Sequence, residues 1–314
     1  MDETIRKAIE HMSGFGRGRA DEAAEAARAI GALGVEALCA ALLTPEALNV
    51  PKGRHALKDE IARQGPGAVA PALLAALAHP DWRPNQVACD VIALMPEAMA
   101  PRLIAFLVEA GPPHGRINAI LVLRRMGVTD AGAALAGLAG GDPAPEVRAA
   151  AVEALGWLGA DGAGEAVVRA LADESGDVRL KAVRAAGWLR LPEAVDGILA
   201  LLPSADAEAR AAAVYALDRI GDARAAARVA DLLEDPEPYV RWSAAVALRR
   251  LWTDACGPAL AAALRDDEET VAASALDTLC IAAPRIDADL LSSAADDPRP
   301  SFRRTAAFYA ARRS

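Results

Sequence analysis

The residues with the most chemical reach in this 314-residue chain are a few histidines, cysteines and carboxylates, so their spacing is read first. His55, His79 and His114 stand in or beside three successive turns, where imidazoles are ligands for a metal or an anion. Packed helices lie roughly 8–10 Å apart, so ligands on separate rungs meet at one ion only if their loops fold together. Solvated loop histidines are the plainer reading, and no metal site is assigned. Cys39, Cys89, Cys256 and Cys280 show no CxxC spacing, and at this length they imply no disulfide scaffold. Asp59, Asp90 and Glu153 are too widely spaced for the carboxylate pair of a retaining glycosidase. The chain has no GxxxxGK[ST] phosphate loop, GxGxxG fingerprint, HExxH helix or GxSxG elbow. No catalytic residue and no cofactor is assigned, and the balance leans away from an enzyme.

Composition narrows the class. The chain is 54% apolar but only 4% aromatic, so strong helix formers prevail over strand formers. Basic charge is almost all arginine, with lysine only at Lys7, Lys52, Lys58 and Lys181, a usage that suggests a GC-rich bacterial genome. A net charge of −9 disfavours general nucleic-acid binding, whose affinity comes mainly from basic charge. The start, MDETIRKAIEHM, is unlike a signal peptide. The longest apolar runs, such as AVAPALLAALA, reach about half of the ~20 residues of a membrane span. A reduced cytoplasm and no membrane are the expectations.

The organisation emerges from arithmetic. DPAPEVRAAAVEALGWLG, from Asp142, recurs as DESGDVRLKAVRAAGWLR, SADAEARAAAVYALDRIG and DPEPYVRWSAAVALRRLW. Their arginines, Arg148, Arg179, Arg210 and Arg241, are separated by 31 residues each time. The step continues to Ala272 and Arg303, and backward through Arg116, Asn85, Arg54 and Ala23, giving about ten registers. Three residues after this column runs a nearly unbroken alanine column, Ala26 to Ala306, and seven after it an aliphatic one, Ile30 to Ala310. Each unit reads as helix, turn, helix. In the fifth, Ala131 to Ala139 is the first helix and about Glu146 to Leu158 the second. Gly34, Gly65, Gly127, Gly159 and Gly221 share a helix C-cap column. No unit can bury its apolar stripe alone, so stability comes from stacking.

These motifs resemble the HEAT repeat, specifically the short HEAT-like repeats of the phycobilin-lyase type. The resemblance covers essentially the whole chain and is best from Asp142 to Leu251. It implies an all-α fold, a right-handed α-α superhelix or solenoid of about ten two-helix repeats. One solenoid is expected over residues 1–314, irregular in 1–128 and more regular in 129–314. The repeat serves scaffolds, adaptors, lyases and a few enzymes, so it constrains fold more than function. Some HEAT-like enzymes bind iron through His-Glu pairs, and no such pair occurs here.

Two column sets carry different expectations. On a helical wheel Arg148 shares the side of Leu155 and sits at a helix N-terminus, where positive charge is unfavourable. It needs a carboxylate, and the turn six residues earlier supplies Asp142, Asp173, Asp235 and Asp297, with Ser204 the exception. As in HEAT proteins, Asp142, Arg148, Asp173, Arg179, Arg210, Asp235, Arg241, Asp297 and Arg303 are read as a structural ladder between repeats. Opposite Leu155 lie the columns of Glu153 and Trp157, on the concave face if the resemblance holds. Trp157 and Trp188 occupy consecutive rungs there, Leu94 and Leu121 extend the apolar patch, and Arg125, Arg184, Arg219 and Arg250 frame it. Glu153, Tyr215 and the flanking Trp242 complete the candidate partner-binding set. Trp, Tyr and Arg dominate binding hot spots, and a contiguous apolar patch marks an interface.

The leading reading is a non-catalytic protein-interaction scaffold or adaptor that holds a protein or peptide. Behind it stands a HEAT-like DNA-binding or DNA-glycosylase-like protein, in which Trp157, Trp188, Glu153 and Arg184 would surround a base, although the acidic turns oppose it. A bilin lyase or chromophore chaperone is the third reading. The final helix lacks a polar cap, and exposure of Phe302, Phe308 and Tyr309 would permit an end-to-end homodimer in place of a monomer.

Overall fold

The computed structural model describes residues 20–32, 37, 38, 41, 51–109, 111–204, 206–282 and 297–312. The amphipathic start, Gly34, Cys39 and the first basic turn lie outside the described residues. Among the described residues there are seventeen α-helices and no strand. The chain forms two compact units, residues 1–154 and 155–314. The helices in order are α1 (Ala20–Gly31), α2 (Pro51–Gln64), α3 (Pro66–Leu77), α4 (Trp82–Ile92), α5 (Pro96–Val108), α6 (Pro113–Met126), α7 (Gly132–Gly141), α8 (Pro145–Leu158) and α9 (Ala163–Ala170). They continue as α10 (Gly176–Leu189), α11 (Val195–Leu199), α12 (Ala207–Ile220), α13 (Ala226–Asp231), α14 (Pro238–Ala247), α15 (Gly257–Ala263), α16 (Glu269–Ala282) and α17 (Pro300–Ala310).

Each unit is a stack of helix pairs in two layers. In residues 1–154 the first helices α3, α5 and α7 pack in sequence, and the second helices α1, α2, α4 and α6 do the same. In residues 155–314 the second helices α10, α12, α14, α16 and α17 follow one another, with α9, α11, α13 and α15 packed against α10, α12, α14 and α16. The two apolar columns form the seam of this stacking. Every residue of the alanine column from Ala26 to Ala306 is buried, Leu57 included, and so is the aliphatic column from Ile30 to Leu279. Only its last member, Ala310, is exposed, because no further repeat covers it among the described residues. Small side chains at the helix-facing positions let the second helices approach to backbone contact, which shortens the gap that larger side chains would hold open.

The turn arginines knit neighbouring repeats, by a different partner choice than the turn spacing suggested. The residue six positions earlier gives its backbone carbonyl, not its carboxylate. Nη1 of Arg148, Arg179, Arg241 and Arg303 donates to the carbonyls of Asp142, Asp173, Asp235 and Asp297 at 2.9, 2.7, 2.9 and 2.7 Å. Arg210 uses the Ser204 carbonyl at 2.8 Å, so serine is no exception there. The carboxylate comes from the following repeat. Arg116 clasps Asp142 with Nε and Nη2 at 2.8 and 3.0 Å, Arg210 clasps Asp235 at 2.7 and 2.8 Å, and Arg241 clasps Asp266 at 2.7 and 2.9 Å. This two-toothed geometry is what a guanidinium fork favours. The aspartate Oδ1 also accepts the N–H two residues on, in Asp142, Asp173, Asp235, Asp266 and Asp297, which fixes the turn.

Where the column breaks, another residue fills the place. Position 272 is Ala272, so no arginine there can join Asp266 to Asp297. Arg299, from the next turn, reaches back instead: it donates to the Asp266 and Leu264 carbonyls at 3.0 and 2.9 Å and clasps Asp297 at 2.8 and 2.9 Å. Its guanidinium lies 4.5 Å from the centroid of the Phe302 ring, which is buried, contrary to the expected partial exposure.

The second helices α6, α8, α10 and α12 end in a left-handed residue at the repeat's glycine column. Gly127, Gly159 and Gly221 have φ of 69, 60 and 78°. Arg190 takes the same role with φ 54°, the one non-glycine residue of positive φ among the described residues. A Cβ in that conformation costs about 1–2 kcal/mol. Arg190→Gly is therefore expected to raise stability by about 0.5–1 kcal/mol after the extra backbone entropy of glycine is offset; urea denaturation measures it, and a loss of stability would contradict the strain assigned to Arg190.

The ladder makes two further predictions. Arg241→Ala leaves Asp266 partly buried without its clasp and should cost roughly 2–4 kcal/mol, read as a lowered denaturant midpoint. The Asp297 carboxyl is held down at about 2 by the Arg299 side chain and then by the Arg299 N–H. Its folded value is below the unfolded one, so its stabilisation is full above about pH 4 and is lost as pH falls toward 2. Asp297→Asn should thus melt below the parent at pH 7, and the gap should close on acidification through that window.

Candidate functional site

The second helices carry the expected partner-binding residues, and the two units place them in separate settings. In residues 1–154, Leu94 after α4 and Leu121 on α6 are exposed by 53 and 40%. Arg125, also on α6, is not a free cation: Nη1 bonds Asp90 at 3.3 Å and Nη2 bonds the Cys89 carbonyl. Asp90 is gripped from its other side by Lys58 at 2.7 Å. Burial alone would raise the Asp90 carboxyl, but Lys58 and Arg125 overcome it and hold the group below the ordinary carboxylate range. Burial also pushes the Cys89 thiol up to about 11, which makes it a poor nucleophile. Glu153 pairs with Arg124 at 3.4 Å.

In residues 155–314 the aromatic residues gather on the second-helix layer. Trp157 is 67% exposed at the end of α8, and Trp188 is half-buried at the end of α10. Their ring centroids are 6.4 Å apart, with planes tilted by 59°. A glycine before each tryptophan makes this arrangement possible. A Cβ on Gly156 would fall 2.6 Å from the Ala185 Cβ and 3.1 Å from the Trp188 ring, and one on Gly187 would fall 2.9 Å from the Ala216 Cα. The helices thus meet backbone to backbone, and the Trp188 ring lies over the space that Gly156 leaves. The repeated Gly-Trp dipeptide carried this signal in the sequence, and the column argument passed over it.

Further along the same layer Tyr215 and Trp242 are about half exposed, as are Tyr239 and Ile281, which the candidate set did not contain. The arginines expected to frame the patch are mostly neutralised. Arg184 pairs with Glu208, and Arg250 with Asp218 at 3.4 Å. Burial raises the Asp218 carboxyl above its ordinary value despite Arg250. Arg219 is half-buried, with its Nε lacking a hydrogen-bond partner. At the last described helix Phe308 is exposed, with Arg312 4.4 Å from its ring centroid, while Tyr309 donates its hydroxyl to Asp277 at 2.6 Å. That bond follows burial in keeping the Tyr309 phenol protonated, up to about 12.

The histidines take local roles. His55 is exposed, His79 Nδ1 accepts the Asp81 N–H at 3.0 Å, and His114 Nε2 lies 2.7 Å from the Ala78 carbonyl, to which it donates. Among the described residues no three His, Cys, Asp or Glu side chains meet as a metal site would require. A groove of about 950 Å³ along α5 and α7 is lined mostly by apolar and small residues, among them Leu107, Val108, Ala133, Ala134 and Leu138. Its only strong polar pair, Arg116 and Asp142, is already closed on itself. No described helix is long and apolar enough to cross a membrane.

Comparison with known proteins agrees with this architecture. A family model described as HEAT repeats matches residues 100–179 and 164–249. Among solved structures, importin beta is similar with a TM-score of 0.58 at 15% identity, over 96% of this chain and 50% of that one. The Escherichia coli protein YibA gives 0.57 at 17% identity, over 81% of this chain and 97% of that one. The complex of CpcE and CpcF of phycocyanin lyase from Nostoc gives 0.44 at 22% identity, over 68% and 86%. No curated protein matches the chain by sequence. At these identities the structural likeness is one of fold alone. With paired helices stacked on buried alanine and aliphatic columns, and with the family matched over residues 100–249, that span is made of HEAT repeats.

Proposed function

We propose that the protein is a non-catalytic interaction scaffold, and that the second-helix face of residues 155–314 is where it holds a protein partner. The observation that carries this reading is the set of solvent-exposed rings on the second helices α8, α12, α14 and α17, namely Trp157, Tyr215, Trp242 and Phe308, with Trp188 half-buried beside Trp157. Large apolar side chains exposed in sequence over one helical layer, on a scaffold that buries its alanines and leucines, are the hallmark of an interface. Tryptophan and tyrosine supply the most contact area for the least ordering cost.

The same geometry ranks protein above nucleic acid as the partner. Phosphate binding depends on cations free to release counterions. Arg184 and Arg250 are matched by carboxylates, and Arg210 and Arg241 are tied into the ladder. Glu153, the residue a base-excising reading would require as an acid, is paired with Arg124.

The test is capture from lysate with the protein immobilised. Trp157→Ala with Trp188→Ala should abolish retention of the partner, with the circular-dichroism spectrum unchanged and the melting temperature shifted by only a few degrees. Undiminished retention by this double variant would refute the face.

A further inference from the structure

The chemistry of the partner can be read from what surrounds the rings. Tyr239 and Trp242 stand one turn apart on α14, and Tyr215 stands on the adjacent α12; all three are about half exposed, at 46, 45 and 52%. The same two helices carry the small, half-buried Ala212 and Ser243.

The charge along this face is negative and largely unmatched. Asp206 and Glu237 occupy the N-caps of α12 and α14, Asp177 and Glu208 lie in the first turns of α10 and α12, and Asp267 and Glu268 precede α16. Among the described residues only Glu208 of these six has an ion-pair partner, Arg184. The nearest ladder arginines, Arg210 and Arg241, are each balanced by their own aspartate. At the far ends of the helices Arg249 is matched by Asp277 at 3.5 Å and Arg250 by Asp218 at 3.4 Å, while Arg219 on α12 keeps its Nε without a hydrogen-bond partner. The Tyr239 phenol registers the negative field: partial shielding first, then Glu237 and Asp206, raise it above the ordinary tyrosine value.

We propose that the α12–α14 face binds an extended segment of a partner protein bearing arginine or lysine, with the cations over the Tyr239 and Trp242 rings and against Asp206 and Glu237. This rests on the interaction-scaffold reading and names the class of its partner. A cation over an aromatic face is attracted by the ring quadrupole, and the adjacent carboxylates add to it. Spacing favours a polyproline-type conformation. Adjacent helices are roughly 8–10 Å apart, and such a chain brings every third side chain to the same side at about 9 Å intervals.

The experiment measures fluorescence anisotropy of two fluorescein-labelled peptides, one of repeated Arg-Pro-Pro units and one of repeated Glu-Pro-Pro units, against the full chain. The Arg-Pro-Pro peptide should bind saturably and weaken with salt. Its affinity should fall at least about tenfold in Trp242→Ala and in the double variant Asp206→Asn with Glu237→Gln. Asparagine keeps the α12 cap, so the fold is retained, and unchanged melting curves confirm it. Trp82→Ala, on α4, should leave binding unaltered. Equal binding of the Glu-Pro-Pro peptide, undiminished binding by both variants, or binding of a labelled oligonucleotide in place of the Arg-Pro-Pro peptide would each overturn the proposal. If no peptide binds while lysate capture still depends on Trp157 and Trp188, the basic-segment proposal falls and the scaffold reading stands. If the peptide binds as expected while capture ignores those tryptophans, the basic-segment face stands and the Trp157–Trp188 centre falls.

Discussion

A guanidinium at the start of a buried helix has five N–H groups to satisfy and a positive charge that the helix N-terminus repels. The repeats meet both demands with one geometry: Nη1 goes to a carbonyl of the arginine's own turn, while Nε and Nη2 go to the aspartate of the next turn. That aspartate in turn accepts the N–H that closes its own turn. Each arginine thus measures the distance between two consecutive turns, and a slip by one residue would break three kinds of bond at once. Removing two charges from water offsets much of their attraction, so the clasp contributes register more than net stability. Cohesion comes from the alanine and aliphatic columns, which are buried from Ala26 to Ala306 and from Ile30 to Leu279.

This division of labour shapes the outer face of the second helices. Along α10, α12 and α14 in residues 155–314, Arg210 and Arg241 are directed into the turns and Arg184 and Arg250 are matched by surface carboxylates. What the layer presents is aromatic area and carboxylates. The alanine and glycine contacts hold the helices rigidly enough to fix those rings without a partner, which lowers the ordering cost of binding. Function on such a scaffold resides in the exposed side chains, since the buried columns would be the same whatever is bound.

The fold was legible because the repeat constrains many positions together: an alanine three residues after the arginine and an aliphatic residue seven after it leave one helical register open. The ladder's membership was legible from composition, but its wiring was not. Sequence spacing pointed each arginine to the aspartate six residues before it, whereas only the folded turn shows that the carbonyl there faces the guanidinium and the carboxylate comes from the next repeat. Arg299 was hidden for a related reason, since it replaces the missing arginine at Ala272 from a different position in the motif. Arg190 broke the glycine column without a sequence sign that it keeps the left-handed conformation. Of the exposed face, Trp157, Tyr215 and Trp242 followed from the helical wheel. Tyr239, nine residues before Leu248, also lies opposite the core on that wheel, but the Glu153 and Trp157 columns that defined the face leave its column out. The surface pairing of Arg125, Arg184 and Arg250 depends on neighbouring helices, and no single-helix pattern encodes it.

The most direct test of the central claim is hydroxyl-radical footprinting of the protein with and without its captured partner, read residue by residue at the tryptophans and exposed tyrosines. The account predicts protection of Trp157, Trp188, Tyr215, Tyr239 and Trp242, with Trp82, which is equally exposed but on α4, oxidised as in the free protein. Protection of Trp82 or of first-helix residues alone, with the second-helix rings of residues 155–314 still oxidised, would contradict it.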